Sequence, residues 1–455
     1  MPAARNIDVQ AFLNAAPFSP FQWLIFTLCF CVVLLDGFDT AAIGYIAPSL
    51  VSEWGVERSA LGPVLSAALF GLVVGSLSAG PLADRFGRKT ILSISILIFG
   101  LACLASGFSA GLDQLVLWRF ITGVGLGAAM PNSVTVMNEY CPEARRATLT
   151  NAMFCGFPLG AALGGFLAAW MIPQFGWRSV LLLGGIAPLV LGALILFLLP
   201  ESARYMVAKN YPAERIREAL RRIQPAATDF PLTVTGVSAT TEEPARSSMG
   251  VVLSSELLVG SVMLWLTYFM GLVIFYALVN WMPVLLRDAG VAPSTAALVS
   301  ALFPLGGFGA ILSGWLMDRF NGNVIIAACF ALTAVAVFAI GQSTNHIVLL
   351  MLVVLGAGIM MNTAQSSLPT LAAAVYPTNG RATGVAWMMG IGRFGGIAGS
   401  FLVAELSRRN LNFSQIFMIV AISGLVAAAA LAIKQLAHPE TKSDYNVAHG
   451  EALGH

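Results

Sequence analysis

The amino-acid sequence predicts an all-α membrane protein with twelve transmembrane helices in two pseudo-symmetric six-helix halves. Three observations predict this fold: an apolar composition, twelve stretches of membrane-spanning length, and two short patterns that recur at nearly one offset. The 455 residues are 58% hydrophobic and 10% charged, with a mean hydropathy of +0.82. Soluble domains carry about 25% charged residues, so this composition excludes a soluble globular protein.

Twelve stretches of the sequence are long and apolar enough to cross a bilayer, for which a helix needs about 20 residues. Each is continuously apolar, which favours a helix, because the strands of a membrane β-barrel alternate apolar and polar residues. The first begins only at Phe21, after a segment without the apolar core of a cleaved signal peptide. The twelve stretches are 21–43, 60–80, 90–109, 115–137, 148–170, 178–199, 257–281, 296–316, 324–342, 347–374, 382–404 and 413–433.

The 24 Lys and Arg residues are unevenly distributed over the connecting segments. When both termini are placed in the cytoplasm, seventeen of them fall on the cytoplasmic side and five on the other, while Arg119 and Arg393 remain inside helices. Cytoplasmic loops of membrane proteins carry such an excess, so the sequence predicts two cytoplasmic termini. The net charge of only +2 gives no electrostatic argument for a nucleic-acid partner.

One long polar stretch, residues 202–252, interrupts the series after the sixth apolar stretch. We interpret it as a cytoplasmic linker between an N-terminal six-helix half, residues 1–201, and a C-terminal six-helix half, residues 253–437. Residues 438–455 then form a cytoplasmic tail. A regulatory domain is the alternative, but about fifty residues with few aromatic side chains offer little material for a core.

Two patterns occur once in each half. A Gly-x-x-x-Asp-Arg-Phe pattern contains Asp84 in the first half and Asp318 in the second, 234 residues apart. An Arg-Ala-Thr triplet begins at Arg146 and again at Arg381, 235 residues apart. Two independent patterns at nearly one offset indicate a duplicated unit of six helices. Parallel duplication, with substrate bound near the middle of the membrane, is a transporter architecture.

These segments also carry a family resemblance. The segment 80–89 resembles the signature loop between helices two and three of the major facilitator superfamily, and its second copy at Asp318 lacks the basic pair of the first. Within that superfamily the chain resembles the aromatic acid:H⁺ symporter family and is similar to 4-hydroxybenzoate/protocatechuate permeases. The segments that carry this closer resemblance are 7–12, 36–40, 119–127, 280–283, 380–384 and 390–396.

The resemblance implies a secondary transporter that imports an aromatic carboxylate with protons by alternating access in the inner membrane of a bacterium. The implied substrate is of the hydroxybenzoate type, such as 4-hydroxybenzoate, protocatechuate or gallate. We expect a monomer without cofactor or metal. We expect no enzymatic activity, because the sequence shows no nucleophile–base set, phosphate-binding loop or metal-ligand cluster.

Two other functions are weighed against import. Efflux by proton antiport is the main alternative, since the Gly- and Pro-containing segment 156–165 is superficially similar to an antiporter motif. A sensor on a transporter scaffold would need a signalling domain, for which the linker is too small. Uptake measured under an inward proton gradient separates import from efflux.

Two acids, Asp36 and Asp39, lie inside the first apolar stretch, where an ionisable group is costly and is therefore a functional candidate. Three positions apart, they share a helix face and should titrate as a coupled unit. We expect them to carry protons, with Asp39 weakly favoured, while a purely structural pair is the alternative. The resemblance adds Arg119 as a proton-relay or gating residue; its alternative is snorkelling towards the outer interface. Three glycines follow Arg119, at positions 123, 125 and 127, and such small residues let helices approach closely.

Arg393 lies near the middle of the eleventh stretch. Because arginine stays charged and presents a planar fork to carboxylates, we expect it to bind the substrate carboxylate or to pair with Asp39 in the empty site. A permanent interhelical salt bridge is the alternative. An aromatic acid also needs an apolar slot and groups that bind ring hydroxyls. The further candidate substrate contacts, each with packing as its alternative, are Asn280, Trp281, Tyr45, Phe157, Phe303, Asn362, Gln365, Trp387 and Phe394.

A cluster of charged residues fills the short loop between the second and third stretches. The resemblance implies a conformational latch here, in which Asp84 faces a helix N-terminus, where negative charge is favoured, and the basic residues reach nearby acids. The alternative is that these charges only set the topology. The candidate latch residues of the two copies are Asp84, Arg85, Arg88, Lys89, Asp318 and Arg319.

Overall fold

The computed structural model describes residues 5–6, 9–209, 211–224, 232–233, 248–309, 321–376 and 378–437. Almost all of them are helical, and the sheet among them is a parallel pair of two-residue strands, β1 (Arg5–Asn6) and β2 (Leu232–Thr233). Short 3-10 helices span Arg58–Leu61 and Gly306–Gly309. The α-helices of the described residues are α1 (Val9–Ala15), α2 (Pro20–Trp54), α3 (Gly62–Phe86), α4 (Arg88–Ser106), α5 (Leu112–Tyr140), α6 (Glu143–Phe154), α7 (Gly156–Phe175), α8 (Arg178–Leu198), α9 (Ala203–Ala208), α10 (Ala213–Arg221), α11 (Ser248–Val252), α12 (Leu258–Asp288), α13 (Pro293–Leu305), α14 (Gly322–Gln342), α15 (Ile347–Val375), α16 (Thr378–Arg408) and α17 (Phe413–Ala437).

Eleven helical segments of the described residues are long and apolar enough to cross a membrane. They coincide with eleven of the twelve predicted stretches. The twelfth, 296–316, begins in α13 and runs into residues 310–316, which lie outside the described part of the chain. The prediction of an all-α, multi-pass membrane protein is therefore confirmed.

Two helices differ from the apolar stretches that predicted them. Helix α2 continues beyond residue 43 to Trp54, because its last turns are amphipathic and are held by polar contacts: Glu53 accepts hydrogen bonds from Trp177 Nε1 and Arg178 Nη1, both at 2.6 Å. The fifth stretch is divided into α6 and α7 at Cys155, next to Gly156. Hydropathy alone marks neither feature.

The chain divides into two compact units, and four of the five boundaries between them fall inside helices α2, α3, α7 and α8, while the fifth lies outside the described residues. Unit 1 comprises residues 1–40, 70–160 and 181–243, and unit 2 comprises residues 41–69, 161–180 and 244–455. This division does not separate the two six-helix halves predicted from the sequence, because unit 2 includes residues 41–69 and 161–180 of the predicted N-terminal half. The predicted boundary at residues 202–252 stays a prediction.

Within unit 1, helices α2 and α7 approach each other at two glycines. A Cβ atom at Gly37 would overlap the backbone carbonyl of Phe157, and one at Gly160 would overlap the carbonyl of Leu34. Small residues permit such backbone contact between membrane helices, where van der Waals packing rather than the hydrophobic effect holds helices together. This contact positions the part of α2 that carries Asp36 and Asp39.

The substitution Gly37→Ala is expected to destabilise the protein, because the new methyl group meets backbone atoms that cannot move aside. Overpacking of this kind costs about 1–3 kcal/mol. The measurement is the thermal unfolding midpoint of the purified protein in detergent. The matched control is Gly356→Ala on α15, where nothing lies within 4 Å of the added atom; helix propensity should leave that midpoint unchanged or higher. A midpoint lowered equally by both substitutions would contradict the close contact.

Within unit 2, Arg58 forms an ion pair and a hydrogen bond that join chain segments at one end of the helices. Arg58 Nη1 lies 2.9 Å from Asp288 Oδ2, and Arg58 Nη2 donates to the Leu411 carbonyl at 3.5 Å. Partly exposed pairs of this kind contribute only about 0–1 kcal/mol each. They fix the position of the segment after α2 relative to the ends of α12 and α16 more than they stabilise the fold.

Candidate functional site

A fully buried ion pair joins α2 and α5 within unit 1. Arg119 Nη1 donates to Asp39 Oδ1 at 2.7 Å and Nη2 donates to Oδ2 at 2.9 Å, so the guanidinium and carboxylate form a two-pronged contact. Nη2 also donates to the Asp39 backbone carbonyl at 3.3 Å. Both side chains are 0% exposed. Removing one partner of a buried pair costs about 3–5 kcal/mol, because an uncompensated charge remains.

Glycines of α5 allow this helix to approach α3 and α4 closely. A Cβ at Gly125 would lie 2.6 Å from the Phe99 backbone nitrogen of α4, and one at Gly127 would overlap the Leu72 carbonyl of α3. The sequence predicted that small residues after Arg119 permit close helix packing, and the contacts show it. Arg119 itself is fully buried, so it reaches Asp39 in the protein interior rather than the outer interface.

Asp36 lies one helical turn before Asp39 and has a different environment. Its side chain is buried, and its Oδ1 accepts a hydrogen bond from Thr40 Oγ1 at 3.4 Å. The two predicted proton carriers thus share one helix but differ in these contacts: a hydroxyl donates to Asp36, and a guanidinium donates to both carboxylate oxygens of Asp39. The charge of Asp39 is therefore compensated directly by Arg119.

Arg393 belongs to a second polar cluster, which lies in unit 2. Arg393 on α16 is half-buried and interacts electrostatically with the phenol of Tyr268 on α12. Gln365 on α15 also contacts Tyr268: its Nε2 donates to the Tyr268 carbonyl at 3.4 Å. A Cβ at Gly392 would overlap the Tyr268 ring, so the glycine beside Arg393 makes room for the tyrosine. Three helices therefore bring a cation, an amide and a phenol together.

Several predicted substrate contacts are taken up by packing in unit 2. Asn280 donates to Ser400 Oγ at 2.9 Å, and the fully buried Trp281 donates to the Ser400 carbonyl at 3.0 Å. Tyr45 donates to the Ala161 carbonyl at 3.0 Å. These residues hold helices together, and substrate contact for them stays a prediction.

The other predicted contacts differ in exposure. Asn362 donates to the Gly358 carbonyl at 2.8 Å, and Phe303 is fully buried. Trp387 stacks on Trp265 with ring centroids 6.1 Å apart and stays about half exposed, as does Phe394. Phe157 is half-buried in unit 1.

The prediction that these charges fill a loop is wrong, because α3 runs to Phe86 and α4 begins at Arg88 with Gly87 alone between them. The charged residues lie in the last turn of α3 and the first turn of α4, where they form a connected network in unit 1. Arg88 lies 2.7 Å from Asp84 and 3.3 Å from Glu139, and Arg85 lies over the Phe86 ring at 5.1 Å. The predicted residues Asp318 and Arg319 of the second copy lie outside the described residues.

The resemblance implied that Asp84 faces a helix N-terminus. In the structure, the carboxylate at the N-terminus of α4 is that of Glu201, and Asp84 pairs with Arg88 instead. Glu201 Oε1 accepts from the Lys89 backbone nitrogen at 3.1 Å. Gly87, just before α4, has φ +101°, and a Cβ there would overlap the Glu201 carboxylate. The glycine is thus required by both its backbone angle and the close carboxylate.

Two residues of these clusters, Tyr268 and Cys103, were not predicted. Cys103 lies 3.2 Å from Asp39 Oδ1. Both residues fall within apolar stretches, where Tyr and Cys resemble ordinary packing residues. Tyr268 is distinguished only by its contact with the Gly-Arg-Phe-Gly-Gly segment of α16. A sequence does not reveal which stretch faces that segment.

Comparison with known proteins agrees with this architecture. The family model of the Major Facilitator Superfamily matches residues 29–400 and 285–451. The 4-hydroxybenzoate transporter PcaK of Pseudomonas aeruginosa is 50% identical over 437 residues, covering 96% of this chain and 97% of that protein. The gallate transporter of Pseudomonas putida is 44% identical over 434 residues, covering 94% and 95%.

A solved structure shows the same fold at low sequence identity. The inward open conformation of the xylose transporter XylE from E. coli superposes with a TM-score of 0.70 at 18% identity, covering 94% of this chain and 99% of that one.

Proposed function

The chain belongs to the major facilitator superfamily, and on that premise we propose that it imports an aromatic carboxylate together with protons by alternating access. The substrate is of the hydroxybenzoate type. The substrate class is supported by identities of 50% and 44% to a 4-hydroxybenzoate transporter and a gallate transporter over nearly the whole chain. The protein acts as a monomer in a bacterial inner membrane, with both termini in the cytoplasm.

The observation that carries the proton coupling is the buried pair of Asp39 and Arg119. Ionisable groups inside a membrane protein are expensive and mark ion and proton pathways. A proton on Asp39 cancels the charge that holds Arg119, so protonation weakens the contact between α2 and α5. Asp36, one turn away on the same helix, is the supporting proton carrier. Proton binding and a change in helix packing are thereby linked at one site.

The carboxylate of the substrate binds to Arg393, whose planar fork can hold both carboxylate oxygens. Hydrogen bonds for a ring hydroxyl come from the phenol of Tyr268, which interacts electrostatically with Arg393, and from the amide of Gln365, which contacts the Tyr268 backbone carbonyl. A buried polar group left without its partner costs binding free energy, so this cluster favours hydroxylated acids over plain benzoate. The exposed rings of Trp387 and Phe394 on the same helix supply apolar surface for the arene.

The energetics of uptake require a coupled proton. Moving one negative charge inward against a negative-inside potential costs about 2.3 kcal/mol per 100 mV. One proton carried with the anion cancels this cost, and a second makes the uptake electrogenic. Of the two buried acids, Asp39 is the main carrier.

The charged cluster where α3 meets α4 acts as a conformational latch. Its ion pairs connect the ends of α3, α4 and α5 through Asp84, Arg88 and Glu139, and Glu201 binds the start of α4. Arg85 and Lys89 belong to the same cluster, with Asp318 and Arg319 as its counterpart. The two six-helix halves, residues 1–201 and 253–437, are joined by the linker 202–252.

Uptake of labelled 4-hydroxybenzoate into proteoliposomes tests the proposal. An inward proton gradient should raise the internal label above equilibrium, and a protonophore should abolish the increase. Protein-free liposomes control for passive entry of the uncharged acid. Unlabelled protocatechuate and gallate should compete about tenfold better than benzoate, because benzoate lacks the hydroxyl hydrogen bond. A gradient that lowers the internal label would instead indicate efflux by proton antiport and contradict the proposal.

A further inference from the structure

Cys103 of α4 lies at the Asp39–Arg119 pair. Its Sγ lies 3.2 Å from Asp39 Oδ1, the oxygen that Arg119 Nη1 reaches at 2.7 Å, and 3.5 Å from the carbonyl oxygen of Leu181 on α8. All three side chains are fully buried. A thiol has one proton to donate, so Cys103 has two acceptors and can serve only one of them at a time.

The packing around Cys103 holds its sulfur in place. Helix α8 presents Gly184 here: a Cβ at this position would lie 3.2 Å from the Cys103 Sγ and 3.1 Å from the Phe38 ring. The backbone of α8 therefore packs close to the sulfur. The thiol hydrogen can nevertheless change its acceptor by rotation about the Cβ–Sγ bond while the heavy atoms stay in position.

We propose that Cys103 is a positioning residue for proton binding at Asp39. Its thiol donates to Asp39 Oδ1 while the carboxylate is ionised, and to the Leu181 carbonyl once Asp39 carries a proton. The inference rests on the proposed function because it takes Asp39 as the proton carrier. Among the described residues, the titratable groups in contact with Asp39 are Arg119 from α5 and Cys103 from α4, and Asp36 lies one turn away on α2 itself.

The physical reason is that a hydrogen bond to a charged acceptor is stronger than one to a neutral acceptor. An ionised Asp39 therefore attracts the thiol hydrogen more strongly than the neutral Leu181 carbonyl does. Protonation of Asp39 reverses this preference. The thiol thus stabilises the carboxylate that must re-form after each proton release, and it leaves Oδ1 when a proton arrives.

The S–H stretching band in the infrared spectrum of the purified full-length protein tests this exchange without any transport measurement. Cys103→Ser removes the band and so identifies it among those of the six cysteines. Asp39→Asn, which is neutral and similar in shape, should move the band to the higher frequency of a weaker hydrogen bond. Acidification of the unmodified protein should move it in the same direction.

The matched control is Glu53→Gln, the same acid-to-amide change on the same helix, because the Glu53 carboxylate accepts from Trp177 and Arg178 and lies 42% exposed. The band should stay in place in that variant. A band that is unmoved by both Asp39→Asn and acidification, or that moves equally in Glu53→Gln, overturns the proposal.

Transport kinetics supply the functional measurement. Cys103→Ala should lower turnover about tenfold, since the re-formed carboxylate loses one hydrogen bond. The KM for the aromatic acid should stay within about twofold, because Cys103 is not a substrate contact. Cys103→Ser, which keeps a donor, should restore turnover. Equal loss in both variants would mean that the thiol serves only packing.

The two proposals fail in different experiments. Failure of the unmodified protein to transport any aromatic acid refutes the proposed function, whereas the infrared shift tests the role of Cys103.

Discussion

Asp39→Asn is expected to abolish proton-driven accumulation of the aromatic acid but to leave exchange of substrate across the membrane. The reason is that asparagine cannot take up or release a proton, while the proposed substrate site at Arg393 is unchanged. The measurement compares uptake under an inward proton gradient with counterflow exchange at equal pH, both in proteoliposomes. We expect the accumulation ratio to fall to the protein-free level and counterflow to continue.

The same substitution also removes the countercharge of Arg119, which is 0% exposed. An unpaired buried charge costs about 3–5 kcal/mol, so the single variant is expected to be less stable. The double variant Asp39→Asn with Arg119→Gln removes both charges and should regain most of that stability. Glu53→Gln is the matched control, since Glu53 is an acid of the same helix that lies 42% exposed at the loop end. Full accumulation by the double variant would contradict proton coupling through Asp39.

Arg393→Lys is expected to weaken binding of the aromatic acid about tenfold or more, the equivalent of one lost hydrogen bond to a charged group. Lysine keeps the positive charge but offers a single ammonium group in place of the planar fork, so one of the two carboxylate hydrogen bonds is lost. Arg393→Gln removes the charge as well and should abolish binding at accessible concentrations. The measurement is the dissociation constant of 4-hydroxybenzoate for the purified protein, obtained by calorimetry.

The matched control for this prediction is Arg408→Lys on the same helix. Arg408 is 70% exposed and pairs with Glu405, so its replacement should leave the dissociation constant unchanged. If Arg393→Lys binds as tightly as the unmodified protein, or if both variants lose affinity equally, Arg393 does not hold the substrate carboxylate.

The transmembrane helices of this protein could be predicted from the sequence because hydropathy is a local property. The run of apolar residues from Phe21 onwards requires no knowledge of what α2 packs against. The end of α2 at Trp54 could not be predicted in this way, because its last turns are held by contacts of Glu53 with Trp177 and Arg178, which are 124 and 125 residues away.

The site residues show the same distinction between local and distant information. Asp39 and Arg119 are each conspicuous as charges in apolar stretches, but their pairing links positions 80 residues apart, and from the sequence alone Arg393 was a candidate partner of Asp39. The structure places Arg119 in that position. The glycines after Arg119 correctly indicated close packing, because a residue without a side chain permits close approach whichever helix packs against it.

Tyr268 and Cys103 could not be recognised at all. Each has a role only through what surrounds it: Tyr268 through Arg393 and Gln365, and Cys103 through Asp39 and the Leu181 carbonyl. Their residue types are common in helix packing, so nothing in composition or spacing distinguishes them.

The most direct test of the central claim is the proton movement that accompanies substrate entry. Proteoliposomes with a pH-sensitive dye inside, and with no imposed gradient, receive 4-hydroxybenzoate from outside, and protein-free liposomes give the passive background. We predict internal acidification above that background for the unmodified protein, and none for the double variant Asp39→Asn with Arg119→Gln. Undiminished acidification in the double variant would show that the proton crosses by another route.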